Sequence, residues 1–305
     1  MLTHLTKAVT ATALLTAIAG SGCDAQTQSE AQAQTTTQPS DQDTQTIEFA
    51  GMTWRVKHQM QGDAGPGPNY FSADKQDVWV DDEGRLHMTL TQRDGKWHCT
   101  EVVSELATGY GEYEFQVVGA VDQLDPNIVL GLFTWNSDSW KTDANSEIDI
   151  ELTRWAEADA LNLHYSVHPG WGPDTPDGKH PERTEMLDME LQGDTSTHVI
   201  NWAPTVVTCA SYQGSGQDPE NLIANWTFDD SNPPRIASNG QGETTEPILI
   251  PKPGKATNAR INLWLVNADR KGLGDPPTDG QDVEVIISAF RYTPAAAAQT
   301  QPDDQ

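Results

Sequence analysis

The chain has 305 residues, of which 36% are hydrophobic, and its 45 acidic against 18 basic residues give a formal net charge of −27. This length allows one large β domain or two smaller ones, and the low hydrophobic share predicts that part of the chain lies outside a packed core. A nucleic-acid binder needs a positive surface to neutralise phosphates, so the charge excludes that class. Sulfated or uronate polymers would be repelled, whereas a neutral polymer would not.

The first 22 residues have the pattern of an export signal. Lys7 precedes an apolar run at residues 8–19, which is too short to span a bilayer as a helix but suits a signal peptide. The following Gly20-Ser21-Gly22-Cys23 resembles a bacterial lipobox, although Gly20 stands where Leu is preferred. We therefore expect residues 1–22 to be a lipoprotein-type signal. Cys23 would then be lipidated and would anchor the exported protein at the cell envelope or surface. The alternative is an ordinary signal peptide and secretion.

Residues 23–46 are rich in Gln and Thr and show no periodicity, which is typical of a disordered tether. The folded region is predicted at residues 47–294, and a disordered tail at 295–305. Without Cys23, two cysteines remain for an oxidising compartment, Cys99 and Cys209. They could form a disulfide or remain two buried thiols. No Cys/His cluster has zinc spacing, so we expect no metal there.

Between residues 47 and 294 the pattern is one of short strands separated by Gly- and Pro-rich turns, with no long helical period. Many short strands without a linker between them predict one large β-sandwich. The runs that alternate between apolar and polar residues are 78–80, 86–91, 111–117, 162–167, 261–266 and 283–290.

The most informative of these strands is acidic, because residues 147–152 read Glu-Ile-Asp-Ile-Glu-Leu. Side chains alternate across a strand, so Glu147, Asp149 and Glu151 share one face while the aliphatic residues face the core. A strand with one solvent-exposed face would give the same pattern. Acidic residues form strands poorly, however, and three like charges on one face repel one another, which indicates a functional strand.

Paired carboxyl groups suit the cleavage of glycosidic bonds. Retaining glycosidases place two of them about 5–5.5 Å apart, one as nucleophile and one as proton donor. The charge of Asp149 disfavours a second ionised neighbour, so one of the flanking glutamates can keep its proton near neutral pH.

Residues 147–151 resemble the signature of glycoside hydrolase family 16, which includes lichenases, laminarinases, agarases and xyloglucan transglycosylases. Asn145 departs from the lichenase pattern, which has Trp two residues before the nucleophile. The resemblance covers almost the whole folded region. It extends to residues 109–113, 131–135, 198–204, 262–264 and 290–292.

The resemblance implies an all-β, concanavalin A-like jelly-roll β-sandwich with a glycan cleft on its concave sheet. It also implies Glu147 as nucleophile, Glu151 as acid/base and Asp149 as the residue that tunes both. The substrate-binding residues that we expect are Phe133, Trp135, His164, Asn262 and Trp264, with Trp155 added for its position near the motif. Trp140 and Trp171 are further candidates on the same ground. Phe133 and Trp135 could instead be core residues, and His164 a structural histidine.

These features predict a retaining endo-β-glycosidase that acts by double displacement on a neutral polysaccharide, a β-1,3- or β-1,3/1,4-glucan. The alternatives are a transglycosylase on the same fold, a non-catalytic glycan-binding module, and a marine galactan as substrate. We expect a monomer whose partner is the polysaccharide, with membrane contact only through the lipid anchor. No cofactor is predicted. Some family members bind a structural calcium ion, but no local Asp/Asn loop identifies such a site here.

Overall fold

The computed structural model describes residues 45–138, 146–168, 183–229, 250–268 and 270–296. The signal region with Cys23, most of the tether and the tail after residue 296 lie outside these ranges, as do Trp140, Asn145 and Trp171. In the described part of the chain, no helix is long and apolar enough to cross a membrane.

The described residues form seventeen strands and two short 3-10 helices, Val121–Gln123 and Pro219–Asn221. Every strand predicted from alternation is present, with ends that differ by a few residues. The strands are β1 Thr46–Phe49, β2 Met52–Val56, β3 Gln59–Ala64, β4 Asn69–Phe71, β5 Val78–Val80, β6 Leu86–Arg93, β7 Lys96–Ala107, β8 Gly111–Val118, β9 Ile128–Asn136, β10 Ile148–Leu152, β11 Leu163–Val167, β12 Thr184–Leu187, β13 Thr195–Ala203, β14 Val206–Gln213, β15 Leu222–Asp229, β16 Thr257–Leu265 and β17 Val283–Pro294.

Two antiparallel sheets form the layers of a jelly-roll sandwich, which confirms the predicted fold class. The first, here called the front sheet, has the order β12-β11-β10-β9-β16-β7-β2-β1. The back sheet has the order β15-β14-β13-β8-β17-β6-β5. The β6–β7 hairpin continues from the back sheet into the front sheet, and the β3–β4 hairpin pairs alongside it.

The core lies between the two sheets and determines which way the acidic strand faces. Ile148, Ile150 and Leu152 of β10 are fully buried in it, as is Ile200 of β13 in the back sheet. Burying one such aliphatic side chain stabilises a fold by about 1.5–3 kcal/mol. Since successive side chains alternate, this packing turns the carboxylates of β10 to the opposite side of the front sheet, here called the front face.

Cys99 and Cys209 are both buried free cysteines. Cys99 lies on β7 and pairs with Phe71 of β4, whereas Cys209 lies on β14 in the back sheet and pairs with Ile200. The two thiols are therefore on strands of different layers, and no disulfide joins them in this structure. Burial raises the pKa of each thiol, so both stay protonated at neutral pH.

Candidate active site

The acidic strand β10 lies between β9 and β11, away from the edges of the front sheet. Its entry is fixed at Ser146, which has a left-handed backbone with φ of 52°. The Thr134 hydroxyl donates to the Ser146 carbonyl at 2.7 Å, and the Ile148 amide donates to the same hydroxyl at 3.2 Å. These contacts hold the turn that delivers Glu147 to the start of the strand.

Asp149 and Glu151 meet polar neighbours on the front face. Asp149 lies opposite Ser166 of β11, and Glu151 lies opposite His164. Asp149 is only 4% exposed, and His164 is equally buried. A merely wet strand surface would leave these side chains open to water, so the crowded front face favours a functional site.

His168 is a site residue that the sequence reasoning missed. Its Nε2 lies 2.9 Å from Asp149 Oδ2 and its Nδ1 lies 3.8 Å from Glu147 Oε2. Both contacts are ion pairs between the protonated imidazole and a carboxylate. The backbone adds a further link, because the His168 amide donates to the Glu147 carbonyl at 3.0 Å.

The surroundings of His168 keep its imidazole charged. Burial alone would lower its pKa, but the carboxylates of Glu147 and Asp149 outweigh burial and raise the pKa to about 10. Arg183 fixes the backbone here, donating through Nε to the Val167 carbonyl at 2.7 Å and through its terminal nitrogen to the His168 carbonyl at 2.6 Å. His168 is thus a positively charged residue whose backbone is fixed beside two acidic side chains.

Strand alternation could have identified His168. His164 and Ser166 share the polar face of β11, and the next position on that face is residue 168. The alternating run predicted from the sequence covers residues 162–167, so it stops one residue before His168. The described strand also ends at Val167, so His168 lies just beyond regular pairing.

Glu151 has the environment of a proton donor. Burial, together with the nearby charges of Asp149 and Glu147, raises the pKa of its carboxyl well above the usual range, and the positive charge of His168 only partly opposes this. A carboxyl group with a raised pKa remains protonated near neutral pH and can act as a general acid.

One group of possible metal ligands occurs among the described residues, namely Glu147, Asp149 and His168, whose ligand atoms lie within 4.8 Å of one another. A charged imidazole carries a proton on each nitrogen and cannot bind a metal, since metal binding requires the neutral ring. Binding of a metal ion here would therefore require His168 to lose a proton.

The predicted aromatic and amide residues also line the front face. Phe133 lies opposite Asp149, and Trp135 lies under the guanidinium of Arg260, 5.4 Å from its ring centroid. Asn262 lies opposite Gly131, which itself lies opposite Glu151. A side chain at Gly131 would place its Cβ only 2.4 Å from Asn262 Oδ1, so glycine gives the amide room beside Glu151.

Three predicted residues form an aromatic cluster next to Glu151. The Trp155 indole donates through Nε1 to His164 Nδ1 at 3.2 Å, and the two rings meet edge to face with centroids 5.9 Å apart. Trp264 also meets Trp155 edge to face at 5.9 Å. His164 is therefore both a neighbour of Glu151 and a partner of Trp155.

Comparisons with known proteins support the fold. No family model and no curated protein sequence matches the chain at a significant level. A Bacillus licheniformis beta-glucanase of known structure is 18% identical, covering 79% of this chain and 92% of that one, with a TM-score of 0.51.

Two further solved structures have similar scores. An immunostimulatory antigen and pseudo beta-1,3-glucanase of Mycobacterium tuberculosis is 16% identical, with coverages of 80% and 91% and a TM-score of 0.53. A Flavobacterium laminarinase is 14% identical, with coverages of 78% and 92% and a TM-score of 0.50. At these identities the likeness shows a shared fold. Active and pseudo-enzyme names both occur, so activity has to be argued from the site.

Proposed function

We propose that this protein is a retaining endo-β-glycosidase that hydrolyses a β-linked polysaccharide. The observation that carries the proposal is the grouping of Glu147, Asp149 and Glu151 with the cation His168 on the front face. Two carboxyl groups in opposite ionisation states are what double displacement at an anomeric carbon requires. The raised pKa of Glu151 and the positive charge beside Glu147 favour that division.

In the first step the ionised Glu147 attacks the anomeric carbon, and the bond between that carbon and the leaving oxygen breaks. Glu151 gives its proton to the leaving oxygen, which departs as a sugar hydroxyl. In the second step Glu151, now ionised, takes a proton from water, and the water oxygen displaces Glu147 from the anomeric carbon. Both carboxyl groups return to their starting states, and the β configuration is retained.

Asp149 and His168 act as positioning residues in this scheme. The imidazolium lies 2.9 Å from Asp149 and 3.8 Å from Glu147, and its positive charge stabilises the negative charge of the nucleophile Glu147. The charge of Asp149 in turn favours the protonated form of Glu151. The pair thus keeps the nucleophile charged and the acid neutral at the same pH.

We propose a β-1,3- or β-1,3/1,4-glucan as the substrate. The beta-glucanase and laminarinase among proteins of the same fold are consistent with such a polymer. A net charge of −27 favours a polymer without acidic groups. The carbonyl oxygen of Asn262 is buried and has no partner among the described residues, so it could accept a hydrogen bond from a sugar hydroxyl.

The site of action that we propose is outside the cytoplasm, with the protein held at the cell envelope by a lipid on Cys23. The support is the apolar run at residues 8–19 followed by a cysteine and a polar tether. Palmitate labelling of cells that express the chain tests this proposal. Incorporation that is lost in Cys23→Ala supports the anchor, and equal labelling of both chains contradicts it.

A polysaccharide panel tests the activity. Laminarin, lichenan, xyloglucan and agarose are incubated with the wild type and with Glu147→Gln, and reducing ends are measured. We expect laminarin or lichenan to be cut by the wild type alone, with NMR showing the β anomer as the first product. No release from any polymer would refute the hydrolase. Equal release by Glu147→Gln would refute the site, and products longer than the substrate would identify a transglycosylase.

A further inference from the structure

An unusual backbone segment follows the acidic strand. Trp155 and Ala156 are consecutive non-glycine residues with left-handed backbones, with φ values of 50° and 65°. Such conformations are unfavourable for residues that carry a side chain and persist only where the surroundings impose them. A bulky aromatic residue is an expensive choice at such a position, so the placement of this side chain calls for a reason.

Hydrogen bonds hold the segment from both ends. The Trp155 amide donates to the Thr153 hydroxyl at 3.1 Å, and the Ala156 amide donates to the Pro126 carbonyl at 2.8 Å. The Arg154 guanidinium reaches the opposite way and donates to the carbonyls of Leu124 and Asp122 at 3.1 and 3.0 Å. The backbone is therefore anchored to the loop before β9, and the position of Trp155 is fixed.

The side chain of Trp155 is fixed as well, but it is not buried. Its indole N–H is bound by His164 and its ring contacts Trp264, which are 4% and 9% exposed. Trp155 itself is 37% exposed. An immobile aromatic surface therefore remains open to solvent beside buried neighbours, and ordering it costs no further side-chain entropy when a ligand binds.

The contact with His164 requires a neutral imidazole, because Nδ1 must accept the indole proton. Burial lowers the pKa of His164, which favours this form. The remaining proton is then on Nε2, which faces the Leu161 carbonyl at 3.3 Å. His164 also lies opposite Glu151, so it connects the fixed indole to the proton donor.

We propose that Trp155 forms a sugar-stacking subsite that binds a pyranose ring next to Glu151. The faces of a pyranose ring carry C–H groups that pack on an aromatic surface, and this contact removes apolar area from water on both partners. The inference rests on the proposed function for the identity of the polymer. A protein partner is a less fitting occupant, since the exposed indole is hydrogen-bonded to His164, which lies opposite Glu151 of the acidic strand.

Laminarin hydrolysis by Trp155→Ala and Trp155→Phe tests the subsite. Trp79→Ala is a matched control, because Trp79 also stacks on a histidine, His87, with centroids 4.6 Å apart, but on the outer face of the back sheet. We expect Trp155→Ala to raise KM about tenfold, a loss within the range of aromatic stacking contacts. Trp155→Phe should recover most of that loss, and Trp79→Ala should retain the wild-type KM.

Affinity electrophoresis in gels that contain laminarin separates this inference from the proposed function. Retardation of Glu147→Gln that is lost in the Glu147→Gln/Trp155→Ala double variant supports the subsite even if the wild type cuts nothing. Hydrolysis with an unchanged KM in Trp155→Ala overturns the subsite and leaves the enzyme intact. If Trp155→Ala does not fold, Trp155→Phe decides, since a KM more than tenfold above that of the wild type in a folded variant contradicts simple stacking.

Discussion

Two histidines of this molecule lie between carboxylates, one on each side of the sandwich. His87 of β6, on the outer face of the back sheet, contacts Asp81 at 2.9 Å and Glu284 at 2.7 Å. His168, on the front face, contacts Asp149 at 2.9 Å and Glu147 at 3.8 Å. The pKa of each imidazole is raised by its carboxylates against the opposing effect of burial.

The two sites differ in the charges that surround each histidine. Around His87, Arg85 also contacts Asp81 at 2.7 Å, so acids and bases alternate. Around His168, the third carboxyl group of the motif, Glu151, lies near two acids, and its pKa is raised. Matched charges hold a fold together, whereas an excess of acids forces one of them to keep a proton. The front face therefore holds a carboxyl group with a raised pKa, which can donate a proton.

Replacing Glu151 with Gln removes that proton and should have the largest effect of the variants considered for this comparison. We expect kcat on laminarin to fall by about 10²–10⁴-fold, the usual contribution of a general acid. In the wild type, activity should fall as pH rises through the raised pKa of Glu151, because only the protonated form donates. This basic limb should be absent from the residual activity of the variant. Initial rates across pH measure both effects.

Glu284→Gln is the control for the loss of one carboxylate, since Glu284 lies beside His87 on the other side of the molecule. It should retain the wild-type kcat and pH profile. A basic limb that persists unchanged in Glu151→Gln would show that another group donates the proton.

Replacing His168 with Asn removes the cation beside the nucleophile and should have a smaller effect. Glu147 and Asp149 then lose a positive neighbour at 3.8 and 2.9 Å, and the ionised form of the nucleophile Glu147 becomes less favourable. We expect kcat/KM to fall about ten- to a hundredfold, consistent with the loss of one or two charge-assisted contacts. The acidic limb of the profile should move to higher pH, since the nucleophile must be ionised. Steady-state rates from acidic to neutral pH measure the shift.

His87→Asn provides the matched control, because it removes a histidine from between two carboxylates outside the proposed site. Its kcat/KM profile should overlay that of the wild type. A fall in activity of His168→Asn without any movement of the acidic limb would indicate that His168 supports only the fold.

Features that depend on one strand alone could be predicted from the sequence. Period two in residues 147–152 predicted which side chains leave the core, because alternation is a local property of a strand. The same rule places His164 on the polar face, because it needs only the strand to which His164 belongs. Asn262 was expected there from the family resemblance instead.

The contacts of His168 with Glu147 and Asp149 depend instead on how two strands pair with each other. His168 reaches Asp149 because β11 pairs with β10 in one register, and Arg183 fixes the end of β11. The left-handed backbone at Trp155 has no glycine to signal it. The separation of Cys99 and Cys209 into different layers likewise follows from strand order, which a count of cysteines does not contain.

The smallest expected effect is on stability, at His87. Its pKa is raised above the ordinary value of about 6.5. Its contribution to stability is therefore fully present below that ordinary value and is lost as pH rises through the raised one. His87 is mostly buried, but Glu284 is 46% exposed, so solvent screening limits the contribution to about 1 kcal/mol or less.

Urea unfolding should show His87→Asn less stable than the wild type at about pH 5 and closer to it at about pH 9. A difference that grows as pH rises would reverse the sign and would mean that His87 is neutral in the fold. The two histidines would then share their contact geometry but not their charge.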